Sequence, residues 1–175
     1  YDSQPDTRWK SILGTTRNEK AIHDLQAAET QYKLDAANQI KIEGPSSLAV
    51  ARLQADNSPL DIVNSLLAQA NLTVQLEVVG AELRAKQADS VYSYARMSDG
   101  ERSALVFAAE VVAAPPGMVF LIDEPELHLH RSIVVALVKA LILARPDCGF
   151  VVCTHQLELL SLIHISEPTR LRRIS

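Results

Sequence analysis

The sequence predicts an α/β fold: a mainly parallel sheet with flanking helices, joined to a helical segment and a small antiparallel sheet. Three observations carry that expectation. The run Met118-Val-Phe-Leu-Ile122 is apolar, is bounded by Gly117 and Pro125, and ends in the adjacent carboxylates Asp123 and Glu124, as a short buried strand does. A second apolar run, Phe150-Val-Val-Cys153, ends in Thr154-His155. Apolar stretches of helical length, 99–113 and 131–144, precede the two strands.

The elements follow in chain order. Arg17 to about Ile40 is amphipathic, because Ile22, Leu25, Ala28, Tyr32, Ala36 and Ile40 recur at steps of three or four. Lys, Glu, Asp and Gln fill its other face, and it is too short for a coiled coil. Gly44-Pro45 ends it, and a second helix is expected over Ser47–Gln54. A third begins at Ser58-Pro59, with Ser as N-cap and Pro at the first helical position, and runs to about Ala70. Asp61 in its first turn suits the helix dipole. From Leu72 to Val79 apolar and polar residues alternate, the pattern of a half-buried strand. Gly80-Ala81 turns the chain into a strand over Glu82–Lys86, and Val91–Ala95 adds a third. Ser98 and Glu101 have capping-box spacing at the start of a helix over Asp99–Ala113. The helix Arg131–Ala144 is apolar enough to cover the sheet, and Arg145-Pro146 stops it.

Two places carry chemistry. A carboxylate pair at the mouth of a buried strand does little for structure, but is well placed to hold a metal-bound nucleotide. Ligands of parallel sheets gather at the carboxyl ends of the strands. The second place is Ser98-Asp99-Gly100-Glu101. A capped helix needs no Gly in its first turn, where Gly weakens the helix yet lets a ligand approach the backbone. Free N–H groups and the positive dipole end make that terminus an anion site. Read blandly, the same residues are a helix cap and nothing more.

Together these motifs resemble the ATP-binding-cassette class of P-loop ATPases, within the AAA family ATPases. The likeness is to the soluble SMC-like and overcoming-lysogenisation-defect types, and it covers about residues 90 to 159. Val119–Glu124 looks like the Walker B strand, Ser98–Glu101 like the signature motif and His155 like the switch histidine. The resemblance implies ATP and Mg²⁺ as cofactors. It implies Asp123 as the metal carboxylate, Glu124 as the general base, and His155 as a γ-phosphate sensor that bridges to Glu124. Ser98 and the Gly100 N–H are implied to contact a nucleotide held by the opposite subunit, hence a homodimer in the ATP-bound state. Asp99 departs from the commoner Gly and adds negative charge near a phosphate; Arg102 is in reach to compensate it, but is expected on the helix surface. His130 stands where transporter-type members have Asp. His128 and His130 have an i, i+2 spacing that suggests a metal cluster, but no cysteine or third ligand is in register, so zinc is not expected.

The Walker A motif, Gly-x-x-x-x-Gly-Lys-Ser/Thr, is missing: the glycines at 14, 44, 80, 100, 117 and 149 are scattered. The chain begins with Tyr1 rather than Met, so it is expected to lack the N-terminal part of the domain and to be inactive alone. Residues 160–175 look like sequencing-adapter read-through rather than native protein. Three segments result: a helical insertion or lid over 1–71, the ATPase C-terminal subdomain over 72–159, and the 160–175 tail. Leaving out that tail, with its three Arg and one Glu, moves the formal charge from −4 to −6.

No basic stripe of the kind DNA affinity needs is visible. Cys148 and Cys153 read as reduced, semi-buried core thiols of a cytoplasmic protein. No apolar run of about 18 residues occurs, so no membrane span is expected. The function expected is Mg-dependent ATP hydrolysis driving a dimerisation switch, in DNA repair or phage defence, with a nuclease, toxin or DNA as partner. A non-catalytic regulatory or scaffolding module of the same fold is the alternative. A transporter's energising subunit suits neither the insertion before the signature nor the His130 loop.

Overall fold

The structure is a computed structural model that describes residues 14–43, 57–80, 82–127 and 129–164. The helix expected over 47–54 and the side chain of His128 lie outside them. The described elements are helix α1 (Gly14–Glu43), helix α2 (Pro59–Gln69), strands β1 (Gln75–Val79), β2 (Glu82–Gln87) and β3 (Ser90–Ser93), helix α3 (Asp99–Ala113), strand β4 (Val119–Asp123), helix α4 (Arg131–Ala144), strand β5 (Gly149–Cys153) and helix α5 (Leu157–His164). Short 3₁₀ turns occupy Tyr94–Arg96 and Pro125–Leu127.

One hydrophobic core joins the helices to both sheets. Ala21, Ile22 and Leu25 of α1 meet Val63, Leu66 and Leu67 of α2, Leu105 and Val111 of α3, and Val134, Leu137 and Leu141 of α4, all buried. Only the first half of α1 contributes. Beyond Glu29 none of its described residues is buried, and Leu34, Ile40 and Ile42 are exposed. Glu29 is itself buried, and its Oε2 accepts the Leu60 N–H at 3.0 Å, so one carboxylate ties α1 to the free amides at the start of α2. Ser58 and Asp61 form a reciprocal capping box on that terminus, with Pro59 in the first turn. Asn64 then pins β1 to α2, donating to the Leu76 carbonyl and accepting the Leu76 N–H at 3.0 and 2.7 Å.

Strands β1, β2 and β3 form an antiparallel meander, β1-β2-β3. The first turn places Gly80 at φ +67°, which glycine adopts without strain. The strand expected from Leu72 begins at Gln75. The expected burial alternation holds from Thr73 to Leu76, with Val74 and Leu76 buried and Thr73 and Gln75 exposed, and lapses at Glu77 and Val78, both half-buried.

Strands β4 and β5 pair in parallel, Val119 opposite Gly149 and Asp123 opposite Cys153. The rings of Phe120 and Phe150 stack at 5.4 Å between centroids. Inward residues of this pair pack on the core. The outward ones, Val119, Leu121 and Val151, are at least half exposed (66, 53 and 50 %). Cys153 shares that outer row and is exposed, which corrects the expectation of a semi-buried thiol.

Arg145 joins the ends of α3 and α4. It ends α4, and its guanidinium donates to the carbonyls of Val111, Val112 and Ala114 at 2.6, 3.1 and 2.9 Å. These are carbonyls left without partners at the end of α3. Asp147 completes the arrangement as a bidentate partner at 2.9 and 2.8 Å. Arg131, at the start of α4, pairs with Glu158 and so docks α5.

Candidate functional site

Parallel pairing of β4 and β5 in this register delivers two loop starts side by side, Asp123-Glu124 and Thr154-His155. The ladder continues one step past the strands, where the Glu124 N–H donates to the Cys153 carbonyl at 2.9 Å. Glu124 takes φ +46°, a left-handed conformation that costs a non-glycine residue about 1–3 kcal/mol. That bend aims its side chain across at the neighbouring loop. There His155 Nε2 lies 2.9 Å from Glu124 Oε1, with the imidazole 91 % exposed and the Glu124 side chain 25 % exposed. Asp123 is exposed beside them, and its carboxylate makes no hydrogen bond or ion pair among the described residues.

Glu126 is a member of this group that reading the motifs one by one does not reveal. Its Oε1 accepts the Thr154 hydroxyl at 2.6 Å and the His155 N–H at 3.0 Å. The Thr154 hydroxyl oxygen in turn accepts the Gln156 N–H at 3.0 Å. The signal in sequence is a third carboxylate two residues after Glu124, but only the strand register shows that it faces the histidine loop.

The two glutamates share a local electrostatic field. Desolvation raises the Glu124 carboxyl above its ordinary value. The His155 imidazole opposes that rise, and the charge of Glu126, a hydrogen bond with it and the charge of Asp123 add to it. Glu126 moves the other way. Desolvation would raise it, but the Thr154 hydroxyl, the backbone N–H groups of Glu126 and His155, and the hydrogen bond with Glu124 outweigh that and hold it low.

The second group stands at the start of α3. Ser98 is the N-cap: its Oγ accepts the Glu101 N–H at 3.3 Å and donates to Glu101 Oε2 at 2.7 Å, while Glu101 Oε2 also accepts the Ser98 N–H at 3.0 Å. Asp99 is exposed, and its Oδ1 lies 3.7 Å from Arg102 Nη2, an ion pair one turn apart. Gly100 lies in the first turn, and a Cβ built there meets nothing within 4 Å. Arg102 is not spread on the helix surface as the sequence suggests. Its Nη2 turns back to donate to the carbonyls of Ala95 and Met97 at 3.2 and 2.8 Å, fastening the turn that leads into the cap. Among the described residues, no hydrogen bond or ion pair joins this group to the Asp123–His155 group. His130 is the N-cap of α4, its Nδ1 accepting the Ser132 N–H at 3.4 Å. None of the described helices is long and apolar enough to cross a membrane.

A family model described as "AAA domain, putative AbiEii toxin, Type IV TA system" matches residues 8–161. No curated protein matches the chain. Similar solved structures include an SmcHead bound to the C-winged helix domain of ScpA, at 18% identity and a TM-score of 0.49, over 59% of this chain and 36% of that one. Another, from work on ATP-driven dimerization and DNA stimulated activation of SMC ATPases, is 21% identical with a TM-score of 0.44, over 59% of this chain and 71% of that one. A third, the Smc head domain with an extended coiled coil bound to the C-terminal domain of ScpA, from Pyrococcus furiosus, is 17% identical with a TM-score of 0.46. The chain is covered to 85% there and spans 48% of that structure's chain.

Proposed function

The chain belongs to this AAA domain family, and from that membership we propose that it supplies the hydrolytic carboxylates and the signature surface of a Mg²⁺-dependent ATPase. The observation that supports the reading most is the Glu124–His155 pair at the carboxyl ends of two adjacent parallel strands, beside the unengaged Asp123. Packing and strand pairing do not require that arrangement, and the left-handed Glu124 works against local stability.

Asp123 fits a magnesium site, because an exposed carboxylate with no partner among the described residues can take an ion that keeps most of its waters and uses few protein ligands. An ion held by Asp123 would supply charge neutralisation for phosphoryl transfer. Glu124 orients the attacking water and accepts its proton, and a raised carboxyl value brings it nearer to neutral, as a general base requires. His155 holds the Glu124 carboxylate and presents an exposed ring edge to the phosphate. Phosphoryl transfer is mostly positioning and charge stabilisation, so few groups suffice.

Ser98 and the backbone at Gly100 serve a different nucleotide, one carried by a second copy of the chain. Gly100 supports this part: no neighbour within the chain needs the missing side chain, and alanine would favour the helix. Asp99 and Glu101 complete that surface. ATP binding thus closes a homodimer and hydrolysis opens it. Its downstream partner is DNA, a nuclease or a toxin, in repair or phage defence.

The test is Glu124→Gln in the full-length protein. Turnover falls about 100-fold or more, ATP binding persists, and the ATP-bound dimer accumulates. Unchanged turnover would overturn the reading.

A further inference from the structure

We propose that Glu126 is a positioning residue, whose carboxylate holds the His155 loop so that the imidazole meets Glu124. The proposal rests on the reading above and deepens it. His155 is 91 % exposed on its side chain, so packing does not fix its ring. What fixes the residue is its backbone. The His155 N–H and the Thr154 hydroxyl both donate to Glu126 Oε1. Glu126 is itself fixed by the 3₁₀ turn Pro125–Leu127, whose Leu127 N–H donates to the Glu124 carbonyl at 3.0 Å and whose Pro125 is buried.

The contacts close a ring. From Glu124 the chain runs two residues to Glu126, across to the His155 backbone, out along the imidazole and back to Glu124 Oε1 at 2.9 Å. Breaking the ring at Glu126 frees an exposed histidine to swing away from the carboxylate it must orient. Glu126 Oε2 is shielded from solvent as well. The carboxylate does more than join two loops: it sets the angle at which an exposed side chain leaves the backbone. Glu126 touches no reacting atom.

Two variants and two readouts test this. In the nucleotide-free full-length protein, hydrogen exchange at the His155 amide and the imidazole NMR shifts of His155 report the ring directly. Glu126→Ala exposes the amide to exchange and moves the ring shifts toward those of a free histidine. Glu126→Gln, which keeps an accepting oxygen, restores both. Thr154→Val removes one of the two donors and gives an intermediate result, which keeps the proposal testable if Glu126→Ala does not fold. With ATP, Glu126→Ala lowers kcat about 10- to 100-fold, the scale of a misplaced catalytic group, with KM within about threefold. An unchanged amide and ring in both Glu126→Ala and Thr154→Val overturns the proposal, as does a loss confined to KM. If the wild-type protein hydrolyses no ATP while the exchange and ring signals respond as expected, the ATPase reading falls and the positioning role stands.

Discussion

The start of α3 and the ends of β4 and β5 are both acidic, both polar and both rich in hydrogen bonds, yet they are built differently. At α3 every bond is local: Ser98 and Glu101 satisfy each other within one helical turn. At the strand ends the bonds cross about thirty residues of sequence: Glu126 to Thr154 is 28 residues apart and Glu126 to the His155 amide 29. One backbone there sits in a strained region, and one carboxylate, Asp123, is exposed and has no partner among the described residues. Local closure is what a helix needs in order to end cleanly. Long-range closure around strain is a cost that stability alone does not explain. The strand-end group is therefore the stronger indication of chemistry, and the helix cap speaks for function only through the open space at Gly100.

The largest effect that can break this comparison is at Glu124. Glu124→Gly relieves the left-handed backbone and raises stability by about 1 kcal/mol, while turnover falls about 100-fold or more. Thermal unfolding and ATPase rates measured on the same preparations check the pair of signs. A Glu124→Gly protein that is less stable and still active removes the argument from strain. Ser98 gives a smaller effect of a different kind. Ser98→Ala loses the cap and about 1 kcal/mol of stability, whereas Ser98→Asp keeps it. Because Asp places a charge where a phosphate would approach, Ser98→Asp weakens ATP-driven association about tenfold or more at unchanged stability. Equal association in wild type and Ser98→Asp makes the α3 terminus a cap alone.

The smallest effect lies away from both regions. Hydrogen bonding to Arg145 holds the Asp147 carboxyl at about 2, against an ordinary 3.8. A depressed carboxylate stabilises the fold fully above its unfolded value and loses that contribution as pH falls through its folded value. Acid unfolding between about pH 4 and 2 should therefore be shallower in Asp147→Asn than in wild type, with no change near neutrality. A changed neutral-pH ATPase rate would tie Arg145 to the site and blur the contrast.

How much of this was legible in the sequence differs between the same two regions. Helices Asp99–Ala113 and Arg131–Ala144 and the strand Val119–Asp123 are visible because their apolar periodicity and their caps lie in contiguous residues. Ser98–Glu101 is legible for the same reason. Glu126 and Arg145 were not, because their partners lie far along the chain and no local pattern marks them. Arg102 was misplaced since helical periodicity puts it outward, whereas the carbonyls of Ala95 and Met97 need a donor. Cys153 follows the β4–β5 alternation, and that alternation puts it outward.

Paramagnetic NMR with Mn²⁺ in place of Mg²⁺ addresses the core of this picture most directly. In the full-length protein with ATP and Mn²⁺, the side-chain signals of Asp123 and the ring signals of His155 should broaden strongly, and Asp123→Asn should abolish the effect. Sharp Asp123 and His155 signals under conditions where ATP is bound would mean that the strand ends hold no metal–nucleotide complex, and the ATPase reading of this site would have to be given up.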